Sequence, residues 1–318
     1  MDIWAAILVI VFGVIGTTQL HLAKVMQKHG IEVFDNIRAK LRKEKKIIVD
    51  EGRIKKPVIY FIGLILNASE TITLMLANLF GEYPALYTSM FGVGMVFSLL
   101  YSTKFLGEKV IQREIFGSIV IIMGTLVLGI EGIFRPDYNE EELGILESYI
   151  FILSFLGIGI SLMAYSLKTK DPLKIGFFFA IVSGGFGGMD IIFKLLGQVD
   201  ASGGVSIIPL DVTRFIVFLT SFGIAFTAFS LTQWAFARKA PARVFIPTYD
   251  SFYVALPIIY QAILLPGFLI WASTVIGFTL IVFGIVLMKA FKKETAISPI
   301  VTNLSKESQE EPVIQPIE

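Results

Sequence analysis

The feature that most constrains this chain is a series of nine apolar stretches, each about 20 residues long and nearly free of charge. A hydrocarbon layer of about 30 Å needs about 20 helical residues to cross it. Charged residues make up only 17% of the chain and hydrophobic residues 55%, which excludes a soluble enzyme, a secreted disulfide scaffold and a disordered chain. The sequence therefore predicts an all-α polytopic membrane protein. The nine predicted spans are residues 3–25, 57–79, 84–104, 111–131, 148–167, 175–196, 213–236, 244–264 and 268–289.

Lysine and arginine are unevenly distributed between the connections that join these spans. Of 27 such residues, 24 lie in alternate connections or near the C-terminus, and 11 of them fall between Lys24 and Lys56. Because cytoplasmic loops are enriched in basic residues, the chain is predicted to have its N-terminus outside and its C-terminus in the cytoplasm. A multi-pass protein of the plasma membrane is expected, with the lipid bilayer as a partner and no nucleic acid.

Two segments are predicted to lie outside the bilayer core. Residues 27–56 form a basic cytoplasmic loop, which is either an amphipathic helix on the inner leaflet or a plain positive-inside loop. Residues 294–318 contain serine, glutamate, glutamine and proline without apolar periodicity, so they are predicted to form a disordered cytoplasmic tail.

Glycines recur along the chain at a constant offset of 160 residues. The recurring residues are Gly107, Gly117 and Gly124, followed by Gly267, Gly277 and Gly284. In the nine-span layout the two copies cross the membrane in opposite directions, which predicts an inverted-topology repeat of the kind found in secondary transporters. The first half is residues 1–131 with spans one to four. The second is residues 132–293, in which spans six to nine form the repeat and span five is additional.

Three stretches of sequence carry a resemblance to a known family. LYSTKFLGEKVIQREIFGSIVIIMGTLVL (100–128) and AFARKAPARVFIP (235–247) resemble the drug/metabolite transporter superfamily, in which a Leu-Gly-Glu turn precedes a Gly-spaced helix. The N-out, nine-span layout and GLILNASETITLMLAN (63–78), a Gly-Leu span with a mid-helix glutamate, are similar to its NIPA-type magnesium transporter branch. The resemblance covers nearly all of residues 3–293. It implies an EamA-like inverted repeat and Mg²⁺ as the transported substrate.

Ionisable side chains within the spans are the main candidates for a transport site, because each costs about 2.5–3.5 kcal/mol on insertion scales. Glu70 lies close to the midpoint of the second span, and Asn67, Thr71 and Asn78 share one helix face with it. A glutamate that only joins helices through hydrogen bonds is the alternative interpretation. We expect this face to bind the substrate.

Four further residues complete the predicted site. Asp190 and Lys194 lie four residues apart in the sixth span, so they are predicted to pair on one helix face, either as a structural ion pair or as a gate. Asp250 in the eighth span is either a site residue or a side chain that reaches the inner surface. Gln233 in the seventh span either lines a vestibule or belongs to an interfacial belt.

Enzymatic and cofactor chemistry have little support in this sequence. Cysteine is absent and there are only two histidines, which removes thiolate sites and a histidine-based metal cage. His21 is predicted to be a hydrogen-bonded histidine within the membrane, and Lys24 an anchor at the membrane interface. No enzyme activity and no cofactor are expected.

The predicted function is secondary transport of a small solute by alternating access. The resemblance implies a divalent cation, with Mg²⁺ first, and the carboxylates of Glu70 and Asp190 have the oxygen chemistry that Mg²⁺ prefers. Two alternatives stay open. One is a proton-coupled transporter of a small organic metabolite or cation, and the other is a membrane scaffold without transport. A homodimer is compatible with each.

Overall fold

The computed structural model describes residues 3–31, 55–80, 87, 90–108, 112–134, 144–199, 206–209, 211–265 and 268–287. These residues form nine α-helices. In chain order the helices are α1 (Ile3–Gly30), α2 (Lys55–Phe80), α3 (Phe91–Phe105), α4 (Gln112–Phe134), α5 (Ile145–Thr169), α6 (Pro172–Gln198), α7 (Val212–Ala237), α8 (Ala242–Leu264) and α9 (Ala272–Leu287).

One helix occupies each of the nine predicted spans, so the prediction of an all-helical chain is confirmed for the described residues. Helices α1, α2, α5, α6 and α7 are long and apolar enough to cross a membrane, while apolar segments of α3, α4 and α9 are shorter. Helix α3 begins at Phe91 instead of residue 84, and α1 continues beyond residue 25 to Gly30. Most of the predicted basic loop and the whole predicted tail lie outside the described residues.

Two of the long helices begin at aspartate caps. The Asp171 carboxylate accepts a hydrogen bond of 3.0 Å from the backbone N–H of Leu173, and Pro172 occupies the first turn, where its missing N–H costs nothing. The Asp211 carboxylate accepts in the same way from the N–H of Arg214, at 2.9 Å. These caps satisfy backbone groups that have no partner within α6 and α7.

Helix α6 lies at the centre of the second half. Every residue from 179 to 199 is buried, and the helix packs against α5, α7 and α8. In the first half, α1 packs against α2 and α3. The halves also meet directly, because α4 packs against α9.

Glycines form the contact between α4 and α9. A Cβ atom added to Gly124 would lie 2.8 Å from the carbonyl oxygen of Gly277, and one added to Gly284 would lie 2.7 Å from that of Gly117. The pairing runs forward along α4 and backward along α9, so the two helices are antiparallel. Small residues at such contacts allow two helix backbones to approach closely.

A second set of glycine contacts occurs once in each half. In the first half, Gly13 of α1 lies against the carbonyl oxygen of Tyr87, and in the second half Gly184 of α6 lies against the carbonyl oxygen of Tyr249. Three residues further along each helix, another glycine lies against the hydroxyl group of the same tyrosine. The packing of α1 against Tyr87 therefore corresponds to the packing of α6 against Tyr249.

We expect the α4–α9 contact to be sensitive to a single methyl group. Gly124→Ala would place its Cβ against backbone atoms of α9 and should lower the free energy of unfolding by about 1–3 kcal/mol, the usual range for overpacking. Thermal unfolding of the purified protein in detergent measures this change.

Gly157→Ala in α5 is the matched control, since nothing lies within 4 Å of its added Cβ. It should be neutral or stabilise the helix by up to about 1 kcal/mol. Equal effects of the two substitutions would contradict the close contact at Gly124.

Candidate functional site

A cavity lies between helices of both halves. Its volume is about 50 Å³. A water needs at least about 10–15 Å³ of such space, so the cavity is large enough for a few water molecules. Helices α1 and α2 line one side, and α6, α7 and α8 line the other. The lining residues are Leu20, Lys24, Gln27, Asn67, Glu70, Thr71, Gly187, Asp190, Ala225, Ala228, Phe229, Thr232, Tyr249 and Tyr253.

The cavity brings together the candidates from the second and sixth spans. Glu70, Asn67 and Thr71 reach it from α2, and Asp190 reaches it from α6. About 120 residues of sequence separate Glu70 from Asp190, and apart from the proposed repeat nothing in the sequence indicated that α2 and α6 contribute to one cavity. The side chain of Asn78, the remaining candidate of α2, lies outside the described residues.

Glu70 is buried and has one described hydrogen-bond partner. The hydroxyl group of Tyr87 donates to its Oε1 at 3.1 Å. No lysine, arginine or histidine forms an ion pair with Glu70 in the described parts of the chain. Its carboxylate is therefore available to a proton or to a solute in the cavity.

Asp190 and Lys194 form the predicted ion pair on one face of α6. The Lys194 ammonium donates to Oδ2 of Asp190, and its Nζ also lies 5.4 Å from the centre of the Phe222 ring. The side chain of Lys194 is fully buried and does not line the cavity, whereas Asp190 does. Oδ1 of Asp190 has no hydrogen-bond partner among the described residues.

Asp250 is buried next to the cavity and pairs with His21. Its Oδ2 lies 2.6 Å from Nε2 of His21, and its Oδ1 lies 3.9 Å from Nζ of Lys24. Lys24 is itself buried, lines the cavity and places Nζ 3.2 Å from the centre of the Tyr249 ring. The structure thus differs from two interpretations of the sequence, because the side chains of Asp250 and Lys24 are buried between helices instead of extending to the protein surface.

Gln233 connects the two halves beside the cavity. Its Nε2 donates to Oε1 of Gln27 at 2.5 Å, and its Oε1 accepts from the Tyr60 hydroxyl at 3.1 Å. Gln27 lines the cavity, and Gln233 is not among the described lining residues. Gln233 thus contacts a cavity residue instead of the cavity itself.

Sequence reasoning missed Lys24, Gln27 and Tyr87 as parts of the site. The spacing of Lys24, three residues after His21 on the same helix, was a usable signal because residues three apart share a face. No sequence pattern pointed to Tyr87, because only the packing of its ring between α1 and α2 brings its hydroxyl to Glu70.

The carboxylates of the site are dispersed. No group of three or more histidine, aspartate or glutamate side chains that could hold a metal ion occurs in the described ranges. Glu70 and Asp190 line the same cavity with the amide of Asn67 and the hydroxyl of Thr71, so oxygen ligands are present there. Lys24 lines the same space.

No protein-family model matches this chain, and neither a curated protein nor a solved structure shows significant similarity to it.

The pairing of Asp190 with Lys194 is testable through stability. Lys194→Met would leave a buried carboxylate without its counter-charge and should lower the free energy of unfolding by about 3–5 kcal/mol. The double variant Asp190→Asn/Lys194→Met removes both charges and should recover most of that loss. Thermal unfolding of the wild type, both single variants and the double variant in detergent gives the coupling. Additive losses in the double variant would contradict a structural pair.

Proposed function

We propose that this protein is a secondary transporter that carries a small solute through the central cavity by alternating access. The observation that supports this most is the convergence of Glu70 and Asp190, from opposite halves, on one cavity. Ionisable groups are expensive within a bilayer, and where they occur they usually mark a substrate or ion pathway. Sites of this kind lie at the interface between the two repeats of a transporter.

An inverted-topology repeat is part of the same proposal. The antiparallel contact of α4 with α9 uses glycines that recur 160 residues apart, which supports a pseudo-two-fold relation between the halves. The matching contacts of Gly13 with Tyr87 and of Gly184 with Tyr249 add a second point of correspondence. In this proposal all nine helices cross the membrane, in the manner of the EamA-like architecture that the sequence resembles.

A cluster of polar contacts at the basic end of α1 is the candidate gate between the two halves. Glu108, in the turn after α3, pairs with Lys28. Its carboxylate also accepts from the backbone N–H groups of Ala242 and Arg243, at 3.1 and 3.0 Å. These N–H groups begin α8, where a carboxylate is favoured by the helix dipole. The contact joins the halves and would have to open for access from that side.

The proposed topology has the N-terminus outside and the C-terminus in the cytoplasm of the plasma membrane. Because the chain has no cysteine, single introduced cysteines report topology directly. An impermeant maleimide should label Glu140→Cys in intact cells and Ser305→Cys only after permeabilisation. The reverse labelling would contradict this orientation.

Two substrate classes follow from different observations. Mg²⁺ is the substrate implied by the resemblance, and the oxygens of Glu70, Asp190, Asn67 and Thr71 are ligands that a partly hydrated Mg²⁺ prefers. Lys24 lines the same cavity, and its positive charge opposes binding of a divalent cation. Lys24 therefore favours the second candidate, a proton-coupled transporter of a small organic solute, in which Glu70 exchanges the proton.

Flux through proteoliposomes tests the transport proposal. Glu70→Gln keeps the size of the side chain but removes its charge and its proton, and we expect it to reduce flux to the level of empty liposomes. Uptake should be measured for Mg²⁺ with a fluorescent indicator and for organic solutes under an imposed pH gradient. Glu147→Gln, at the exposed start of α5, is the matched control and should transport at the wild-type rate.

The outcomes separate the candidate functions. Mg²⁺ uptake that requires Glu70 would support the divalent-cation transporter. Organic-solute flux driven by the pH gradient and independent of Mg²⁺ would support the proton-coupled transporter. No flux of any solute, with correctly folded protein, would contradict transport and favour a membrane scaffold.

A further inference from the structure

The charges around the cavity can be counted from their hydrogen bonds. Nδ1 of His21 lies 2.6 Å from the carbonyl oxygen of Thr17. A carbonyl oxygen only accepts hydrogen bonds, so Nδ1 carries a proton. The tautomer of His21 is thereby assigned from its partner.

A second proton must lie between His21 and Asp250. Nε2 of His21 is 2.6 Å from Oδ2 of Asp250, and an ionised carboxylate offers no proton for this bond. Either His21 is an imidazolium facing a carboxylate, or a neutral imidazole accepts from the carboxylic acid. In both cases the pair has no net charge.

Lys24 is consequently left with no free counter-charge. Asp250 is already neutralised by the proton that it shares with His21. Nζ of Lys24 is 3.9 Å from Oδ1 of Asp250, which is beyond hydrogen-bonding distance. Nζ has no hydrogen-bond partner in the parts of the chain that the structure describes, although Lys24 is 98% buried and lines the cavity. The Lys24 ammonium group therefore has no hydrogen-bond acceptor of its own, and a ligand in the cavity could supply one.

The opposite charge lies on other walls of the same cavity. Glu70 accepts one hydrogen bond from Tyr87 and has no described ionic partner. Oδ1 of Asp190 has no hydrogen-bond partner among the described residues, since Lys194 binds only the other oxygen. Each of these carboxylates can therefore accept further hydrogen bonds, just as the Lys24 ammonium can donate them.

We propose that the cavity binds a small zwitterion, whose anionic group accepts hydrogen bonds from Lys24 and whose ammonium group donates to Asp190 and Glu70. This inference rests on the proposed transport function and names the substrate class of the same site. A cation alone would leave Lys24 without acceptors, and an anion alone would leave Oδ1 of Asp190 without a donor and Glu70 without a counter-charge. Such buried groups are costly when unpaired, so a ligand with both charges is selected over a ligand with either one. The volume of about 50 Å³ favours a small ligand.

Solute counterflow in proteoliposomes tests this inference. Radiolabelled alanine is the zwitterionic probe, and ethylamine and propionate are the matched probes that carry only one of its two charges. Alanine should exchange, and unlabelled glycine should compete at least about tenfold better than either single-charge probe, as expected for loss of one charged hydrogen bond. Competition by all probes at similar concentrations would overturn the inference.

A substitution at Lys24 gives the second arm of the test. Lys24→Met removes the anion-binding group, so the apparent affinity for alanine should fall by about tenfold or more, and ethylamine should become the better competitor. Lys104→Met, at an exposed position on α3, is the matched control and should leave both affinities unchanged. Thermal unfolding in detergent verifies that both variants fold. An unchanged order of competition in folded Lys24→Met would contradict the role of Lys24.

The possible failures are distinguishable. Flux of Mg²⁺ or ethylamine without any exchange of alanine would overturn the zwitterion and leave the transport proposal intact. Absence of flux for every probe would overturn the transport proposal itself.

Discussion

The pairing of buried charges is the constraint on which the rest of this structure depends. Leaving one partner of a buried ion pair alone costs about 3–5 kcal/mol. The bond between His21 and Asp250 therefore fixes α1 against α8, across the two halves, and the pair on α6 neutralises itself within one helix. The same pairings leave Lys24 and Glu70 without a hydrogen-bonded ionic partner, because the nearest carboxylate to Lys24 is already bonded to His21, and both residues line the cavity. The interactions that hold the helices together thus also determine which charges are available to a solute.

Glycine contacts decide how the two halves meet around this site. The contact of Ile121 with Gly284 is matched by that of Ile281 with Gly124, and each pair joins positions that recur 160 residues apart. Because such contacts place backbone against backbone, α4 and α9 can remain together as a unit while other helices move. The polar contacts of Glu108 and Gln233 between the halves use side chains, which can separate and be hydrated without any change in backbone packing. This difference supports a model in which α4 and α9 form the pivot and the basic end of α1 opens.

The sequence was informative where one helix was sufficient to define a feature. Span length and hydropathy predicted the positions of all nine helices, and the four-residue spacing of Asp190 and Lys194 predicted their pairing. Features that depend on two distant helices were less accessible. Lys24 was expected at the membrane interface, because basic residues at the end of an apolar stretch usually reach the headgroups. Its burial depends on α1 continuing to Gly30 and on the Tyr249 ring of α8, and neither can be derived from local composition.

The central claim is that the cavity between the halves opens alternately to each side of the membrane. Thr71 lines this cavity, while its neighbour Ile72 is 61% exposed on the outer face of α2. The native chain has no cysteine, so the reactivity of Thr71→Cys towards an impermeant thiol reagent can be measured from each side in right-side-out and inside-out vesicles. If the cavity opens alternately, Thr71→Cys should react from both sides, and Ile72→Cys, facing lipid, should react from neither. A Thr71→Cys protein that reacts from only one side, or from neither, would contradict alternating access through this cavity.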